Sequence, residues 1–129
     1  MSKEDACLWT LEFWEHDPGL SWVADEYAKL PPNLSLFVKK RLKILRKRDF
    51  NHLRKTKDLK KVEEQDYLEI TIPKNEIRIF GVIEQSRDSS IRPIFNALHL
   101  FHKKRQKIKQ KDINLAIKRF FIYKKKKGL

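Results

Sequence analysis

Apolar and polar residues alternate along four short segments of the chain, and this alternation predicts half-buried β-strands. The first segment covers residues 9–14 and begins with apolar residues at every second position. Three further strands are predicted over 67–72, over 77–83 and within 91–101. Only short turns separate these last three strands, so we expect them to pair as antiparallel hairpins.

Apolar residues with helical spacing predict two helices between the first strand and the other three. The first helix covers residues 20–30 and ends at Pro31-Pro32, because proline disfavours the α conformation in the residue before it. The second lies over 34–45, where one face is apolar and the rest of the surface is cationic. Residues 51–61 continue the basic run with little periodicity, and we expect a loop there.

The clearest helical pattern lies near the C-terminus. Apolar residues recur there with the spacing of one buried helix face: Ile113, Ala116, Ile117, Phe120 and Phe121. The order strand, two helices, three strands and helix indicates an α+β fold in which the helices pack on an antiparallel sheet. We predict a single domain over residues 1–129, with an N-terminal extension over 1–8 and a basic tail over 124–129.

The chain carries a formal net charge of +13, and this charge is unevenly distributed. Residues 1–30 hold seven acidic and two basic residues, whereas 39–61 hold two acidic and twelve basic ones. Residues 103–127 hold one acidic and twelve basic residues. Because like charges repel one another in a compact fold, this pattern indicates a polyanionic partner. Nucleic acid is the first candidate, an anionic membrane surface is a weaker one, and a solvated surface without a ligand is the alternative.

The sequence also limits the class of protein. Cys7 is the one cysteine, so the chain cannot form an intramolecular disulfide and lacks a cysteine pair for zinc. No apolar run approaches the roughly 20 residues that span a bilayer. The polar, acidic start MSKEDAC differs from a signal peptide. We therefore expect a cytoplasmic protein that works without a metal or other cofactor.

Four sequence blocks, YLEITI, EIRIF, LHLFHKKRQK and DINLAIKR, follow one another in the second half of the chain. In order and spacing they resemble the RelE/ParE toxin superfamily, and within it the phage-derived HigB-like toxins. The likeness extends over about residues 9–123. It implies a RelE-like fold: an antiparallel sheet with two N-terminal helices and a C-terminal helix packed against it.

The resemblance also implies a function. The protein would be the toxin of a toxin–antitoxin system, a metal-independent endoribonuclease that cleaves mRNA at the ribosomal A site and so inhibits translation. A cognate antitoxin protein, of helix-turn-helix type, would keep it silent. In such a reaction the 2′-hydroxyl attacks the adjacent phosphate, which requires a proton acceptor, cations for the transition state and an acid for the leaving oxygen.

The same resemblance supplies the catalytic candidates. Arg78 matches the strand arginine that contacts the reacting phosphate, for which its planar fork is suited. Glu69 matches the acidic residue of the family's Glu-Leu-Arg strand and would be the general base if Arg78 lies across the ladder from it. Lys103 and Lys104 match the paired lysines at the end of the last strand. His99 matches the family's histidine.

Each candidate also has a purely structural interpretation. Arg78 would be a sheet residue paired with Glu69 or Glu84, and the lysines would belong to a solvated run of charge. A single histidine in a strand is more often structural than catalytic. His99 and His102 are three positions apart, so in a regular strand they face opposite ways.

Two positions depart from the family's pattern. Thr71 stands where the Glu-Leu-Arg strand has its arginine, and Asn114 lies nearest the tyrosine that some members carry early in the last helix. These departures leave open a nucleic-acid-binding protein of the same fold without cleavage, and the scaffold also serves ParE-like inhibitors of DNA gyrase.

Eight basic residues would bind the RNA backbone: Lys39, Lys40, Lys43, Arg46, Lys47, Arg105, Lys107 and Lys109.

Overall fold

The computed structural model describes residues 7–62, 67–72, 76–103 and 108–128. These ranges contain nine elements: β1 (Thr10–Phe13), α1 (Trp22–Ala28), α2 (Pro32–Leu45), α3 (Phe50–Thr56), β2 (Leu59–Lys61), β3 (Leu68–Ile72), β4 (Ile77–Glu84), β5 (Ile94–His102) and α4 (Gln110–Lys127). The strands form one sheet in the order β1-β5-β4-β3-β2. The predicted α+β class is confirmed, as is the packing of the C-terminal helix on the sheet. Within the described ranges, none of the helices combines the length and apolar character needed to cross a membrane.

The sheet is mixed, whereas the sequence predicted an antiparallel one. The strands expected to form hairpins, β3, β4 and β5, do pair antiparallel. β1, however, pairs with β5 in parallel, in a register that sets Thr10 opposite Ile94. The prediction was wrong for β1 because hairpin geometry constrains only strands joined by a short turn, and three helices and three strands separate β1 from β5.

The loop predicted over 51–61 is instead the helix α3 followed by the strand β2. Asp49 caps α3, because its side chain accepts a hydrogen bond from the backbone N–H of His52 at 2.7 Å. Two fully buried leucines, Leu53 and Leu59, attach the segment to the core. Two apolar anchors are too few to produce the periodicity from which the other elements were assigned.

The sheet separates two apolar clusters. On one side, which we call the core face, α1, α2 and α3 cover the buried isoleucines of β3 and β4: Ile70, Ile72, Ile77 and Ile79. The other side, which we call the α4 face, carries a smaller cluster. The last helix contributes Ala116 to this cluster and covers its other members: Tyr67, Phe80 and Phe101. The two faces therefore carry different helices and different side-chain chemistry.

Strand register determines which candidate residues share the α4 face. Directly opposed residues of adjacent antiparallel strands project from the same side of the sheet. Arg78 lies opposite both Thr71 of β3 and Phe101 of β5, and Phe80 lies opposite His99. All five side chains are therefore on the α4 face.

The predicted apolar face of the C-terminal helix is only partly the face that packs on the sheet. Ala116 is 2% exposed and Phe120 packs against the α4-face cluster, which confirms the prediction for these two residues. Ile117 and Phe121 were also predicted to be buried but are 38% and 68% exposed, so the prediction was wrong for them. The helix is rotated toward Arg119, whose guanidinium bonds to other elements of the fold, and toward Tyr123, which is 2% exposed.

A β-bulge interrupts the pairing of β4 with β5, because Phe80 pairs with His99 but Gly81 pairs with Ala97. The strands approach closely at this point. A β-carbon at Gly81 would lie 2.4 Å from the carbonyl oxygen of Asn96 and 2.5 Å from the ring of Phe95. Glycine is therefore required at the bulge.

Candidate functional site

Arg78 and Glu69 form a buried ion pair on the α4 face. The Nε atom of Arg78 lies 3.5 Å from Oε2 of Glu69, and each residue is 7% exposed. Glu69 itself lies opposite Phe80, so the two charged residues are diagonal neighbours on adjacent strands. Glu84, the other predicted partner of Arg78, instead contacts Asn96 and Lys127. The structure thus brings together the predicted base and the predicted phosphate-binding arginine.

Thr71 helps to hold the carboxylate of Glu69. Its hydroxyl donates a hydrogen bond of 2.7 Å to Oε2 of Glu69. Glu69 is therefore oriented from its own strand by Thr71 and from the neighbouring strand by Arg78. The position where the family pattern has an arginine serves here to orient the carboxylate.

A second carboxylate completes the environment of Arg78. Oε2 of Glu76 lies 3.2 Å from Nη2 of the guanidinium, and the Glu76 side chain is 51% exposed. Glu76 has a left-handed backbone, with φ of 55°, which a non-glycine residue rarely adopts. The Arg78 side chain itself is 8% exposed. Arg78 is therefore buried and faces two carboxylates, the outer of which reaches solvent.

His99 lies in a buried polar network that joins three elements. Its Nδ1 is 2.8 Å from Oε2 of Glu26 in α1, and its Nε2 is 2.9 Å from Oδ1 of Asp112 in α4. Nη1 of Arg119 also lies 3.1 Å from Nδ1 of His99. Nη1 of Arg119 donates to Oε1 of Glu26 at 2.9 Å and to the carbonyl oxygen of Leu98 at 3.0 Å. The network fastens α1 and α4 to β5.

Glu26 is the centre of this network. The pairing of β1 with β5 ends at Ala97 and does not reach Leu100. There the backbone N–H of Leu100 donates a hydrogen bond of 2.9 Å to the carboxylate of Glu26. Burial raises the pKa of Glu26, but His99, this N–H and Arg119 outweigh burial and hold the pKa below its ordinary value. Glu26 therefore has a structural role, because its carboxylate pairs a backbone N–H of β5 that β1 does not reach.

Two aromatic rings lie between His99 and Arg78. The ring of His99 stacks on Phe101 with centroids 5.0 Å apart, and Phe101 meets Phe80 edge to face at 4.9 Å. His99 is 2% exposed. His102 is exposed and lies opposite Ile77 on the core face, which confirms that the two histidines face opposite ways. The structure places His99 on the same face as Arg78 but inside a separate network.

Lys103 lies at the rim beside Arg78. Its backbone N–H donates to the carbonyl oxygen of Glu76 at 2.7 Å, so the end of β5 is attached to the start of β4. The side chain of Lys103 is half-buried. Three further predicted site residues fall outside the described ranges: Lys104, Arg105 and Lys107.

The cations of α2 lie on the other side of the sheet from Arg78. Three of them, Lys39, Lys40 and Lys43, are exposed, and so is Lys47 just beyond the end of the helix. Arg46 is half-buried, and with Lys39 it lines a largely apolar groove of about 300 Å³ between β1, α1 and α2. Lys109 is exposed at the start of α4. The predicted RNA-binding residues therefore do not form one continuous surface around Arg78.

Two residues near the site were missed from the sequence. Lys60 of β2 lies opposite Glu69, and a three-residue strand gives too weak a pattern to reveal it. Tyr67 is buried, and its hydroxyl has no hydrogen-bond partner among the described residues. Burial, and then the charge of Glu69, raise the pKa of Tyr67 to about 12, so the phenol stays protonated at neutral pH.

Within the part of the chain that the structure describes, no group of three or more His, Cys, Asp and Glu side chains is arranged to hold a metal ion. Compared with known proteins, the chain matches no family model and has no significant match among curated proteins.

Proposed function

We propose that this protein is a toxin-type endoribonuclease that cleaves mRNA engaged with the ribosome and that a cognate antitoxin keeps silent. The observation that carries the proposal is the buried pair Glu69–Arg78, which sets a potential proton acceptor beside a guanidinium on one face of the sheet. The sequence resemblance to RelE-like toxins, from which the roles of these two residues are taken, also supports it. A neighbouring gene for a small helix-turn-helix protein would fit the proposed antitoxin.

In the proposed reaction, the 2′-oxygen of a ribose attacks the adjacent phosphorus. Glu69 accepts the 2′-proton as the new P–O bond forms. Arg78 donates N–H groups to the non-bridging oxygens, where negative charge develops. The bond from phosphorus to the 5′-oxygen then breaks, and Lys103 at the rim donates a proton to that oxygen. The products are a 2′,3′-cyclic phosphate and a 5′-hydroxyl.

For this reaction, the guanidinium must exchange Glu76 for the substrate phosphate. Glu76 is the outer partner of Arg78 and its side chain is 51% exposed, whereas the side chain of Glu69 is 9% exposed. A phosphate presents two oxygens to an arginine fork, as a carboxylate does. Glu76 therefore occupies the site of the phosphate in the free protein, and its departure uncovers Arg78.

His99 has a positioning role in this proposal. Both of its nitrogens already contact carboxylates, and the ring is 2% exposed. It therefore fixes α4 over the site and does not exchange protons with RNA. Asp112 and Glu26 are its fixed partners.

A second candidate function is nucleic-acid binding without cleavage. The specific observation that favours it is the pairing of Arg78 with two carboxylates, which neutralises the one buried cation of the site. In that case the exposed lysines, and not Arg78, would supply the affinity for RNA.

Expression in bacteria tests the proposal. We would map mRNA ends within ribosome-engaged messages for the wild type, Arg78→Ala and Arg87→Ala. Arg87 is exposed in the turn after β4 and controls for the loss of one positive charge. The expected result is growth arrest with in-frame cuts, lost in Arg78→Ala and retained in Arg87→Ala. Intact messages with the wild type would overturn the nuclease function, and arrest without cuts would point to gyrase.

A further inference from the structure

Lys60 projects from the edge of the sheet on the same face as the Glu69–Arg78 pair. In the antiparallel pairing of β2 with β3, Lys60 lies opposite Glu69, whereas Lys61 lies opposite Leu68. Directly opposed residues share a face, with β-carbons about 5 Å apart. Successive residues of a strand alternate between faces. Lys60 therefore flanks the candidate site from the α4 face, and Lys61 points to the opposite side.

The charges described around the site do not add up to a positive one. Arg78 and Lys103 contribute two positive charges, and Glu69 and Glu76 contribute two negative ones. A further cation on this face would therefore favour the approach of RNA. The exposed lysines of α2 cannot compensate, because α2 covers the core face.

Lys60 is available for that purpose. It is exposed and takes no part in the ion pairs found among the described residues. Although it lies opposite Glu69, the carboxylate of Glu69 is engaged by Thr71 and Arg78. The ammonium of Lys60 thus remains at the edge strand, beside a buried pair that needs positive charge near it.

We infer that Lys60 is a phosphate-binding residue that holds the backbone of single-stranded RNA where the strand crosses the edge formed by β2 and β3. This inference rests on the proposed function for the identity of the substrate. The phosphate at Lys60 neighbours the reacting one. Lys60 draws the RNA into the site, and Arg78 then takes the reacting phosphate from Glu76.

Lys61 provides a matched control for Lys60. The two lysines are adjacent in one strand, both are exposed, and alanine removes the same charge from each. They differ in the face to which they point. We would compare Lys60→Ala, Lys61→Ala and Lys60→Arg, after showing by thermal unfolding that all three variants fold.

The first measurement is binding of a fluorescein-labelled, fully 2′-O-methylated oligoribonucleotide, which cannot be cleaved, over a range of KCl concentrations. One lost phosphate contact lowers the slope of log affinity against log salt by about 0.7 for a single strand. We expect that decrease, with affinity about 3- to 10-fold weaker, in Lys60→Ala. Lys61→Ala should match the wild type, and Lys60→Arg should restore the slope.

The second measurement is cleavage of ribosome-engaged messages by the same proteins, with Lys60→Ala expected to raise KM and leave kcat close to wild type. The two measurements separate the two claims. A wild type that binds the oligonucleotide through Lys60 but leaves messages intact would remove the nuclease function and keep the phosphate contact. Equal binding by Lys60→Ala and Lys61→Ala, or no binding by the wild type, would overturn the inference about Lys60.

Discussion

The hydroxyl of Thr71 donates to Oε2 of Glu69 at 2.7 Å, and the same oxygen lies 3.5 Å from Nε of Arg78. One carboxylate oxygen therefore receives both orienting contacts. In the proposed reaction, this arrangement turns the other oxygen of Glu69 toward the 2′-hydroxyl. Thr71 is a positioning residue whose contribution acts through Glu69.

Replacing Thr71 tests that role. Thr71→Val keeps the shape of the side chain but removes the donor, and we expect cleavage to fall about 10-fold, which is close to the lower value for one hydrogen bond to a charged group. Thr71→Ser retains the hydroxyl and should remain close to wild type. Equal rates for the valine and serine variants would contradict the role.

Removing the charge of Glu76 should strengthen RNA binding. Glu76→Gln weakens the outer partner of Arg78 and frees the guanidinium for phosphate, so we expect affinity for a 2′-O-methylated oligonucleotide to rise about 5-fold, as for removal of one partly exposed ion pair. Glu12→Gln changes the same charge at an exposed site on β1 and is the control. If both variants gain equally, the effect is one of net charge, and Glu76 does not cover the phosphate site.

The hydrogen-bond network around His99 should contribute strongly to the free energy of unfolding. His99→Ala would leave Glu26 and Asp112 without their shared hydrogen-bond partner, and an unsatisfied buried polar group costs about 1–3 kcal/mol. His102→Ala, at an exposed position of the core face, should stay within about 0.5 kcal/mol of wild type. Urea unfolding of the two variants measures the difference. A small loss in His99→Ala would show that the network does not hold α1 and α4 on the sheet.

Stability should also depend on pH through Glu26. Its pKa in the folded protein is below the ordinary value of 4.5, so in that range the unfolded chain binds the proton more readily. The stabilisation by Glu26 is thus fully present above the unfolded pKa and is lost as the pH falls toward the folded pKa. Urea midpoints measured from neutral pH to about pH 3 should fall less steeply in Glu26→Gln than in the wild type. Parallel curves would contradict this assignment.

The sequence predicted those parts of the fold that depend on local patterns. The hairpins from β3 to β5 follow from alternation and short turns, and the proximity of Glu69 to Arg78 follows from adjacent strands. The parallel pairing of β1 could not be predicted in this way, because no local signal links it to β5. Nor could α3 and β2, which are too short to show a period.

In the candidate site, too, the sequence predicted what local patterns determine and not what depends on distant parts of the chain. His99 was recognised as a candidate, but its partner Glu26 is 73 residues away in the chain, and no spacing rule connects them. The rotation of α4 on the sheet depends on this long-range network, so apolar spacing alone was right for Ala116 and Phe120 and wrong for Ile117 and Phe121. The sequence did not distinguish Lys60 from the other residues of the basic run over 51–61. Only the register of β2 against β3 shows which face of the sheet it occupies.

Single-turnover cleavage of mRNA on purified translating ribosomes tests the central claim most directly. Glu69→Gln preserves the shape of the proposed base but cannot accept a proton, and we expect the rate to fall about 10²- to 10⁴-fold. Arg78→Lys should lose about 10²- to 10³-fold, and the double variant should be little worse than the poorer single one, because the pair acts as a unit. The wild type should leave 2′,3′-cyclic phosphate ends. Cleavage by Glu69→Gln within about 3-fold of wild type would contradict the assignment of Glu69 as the base.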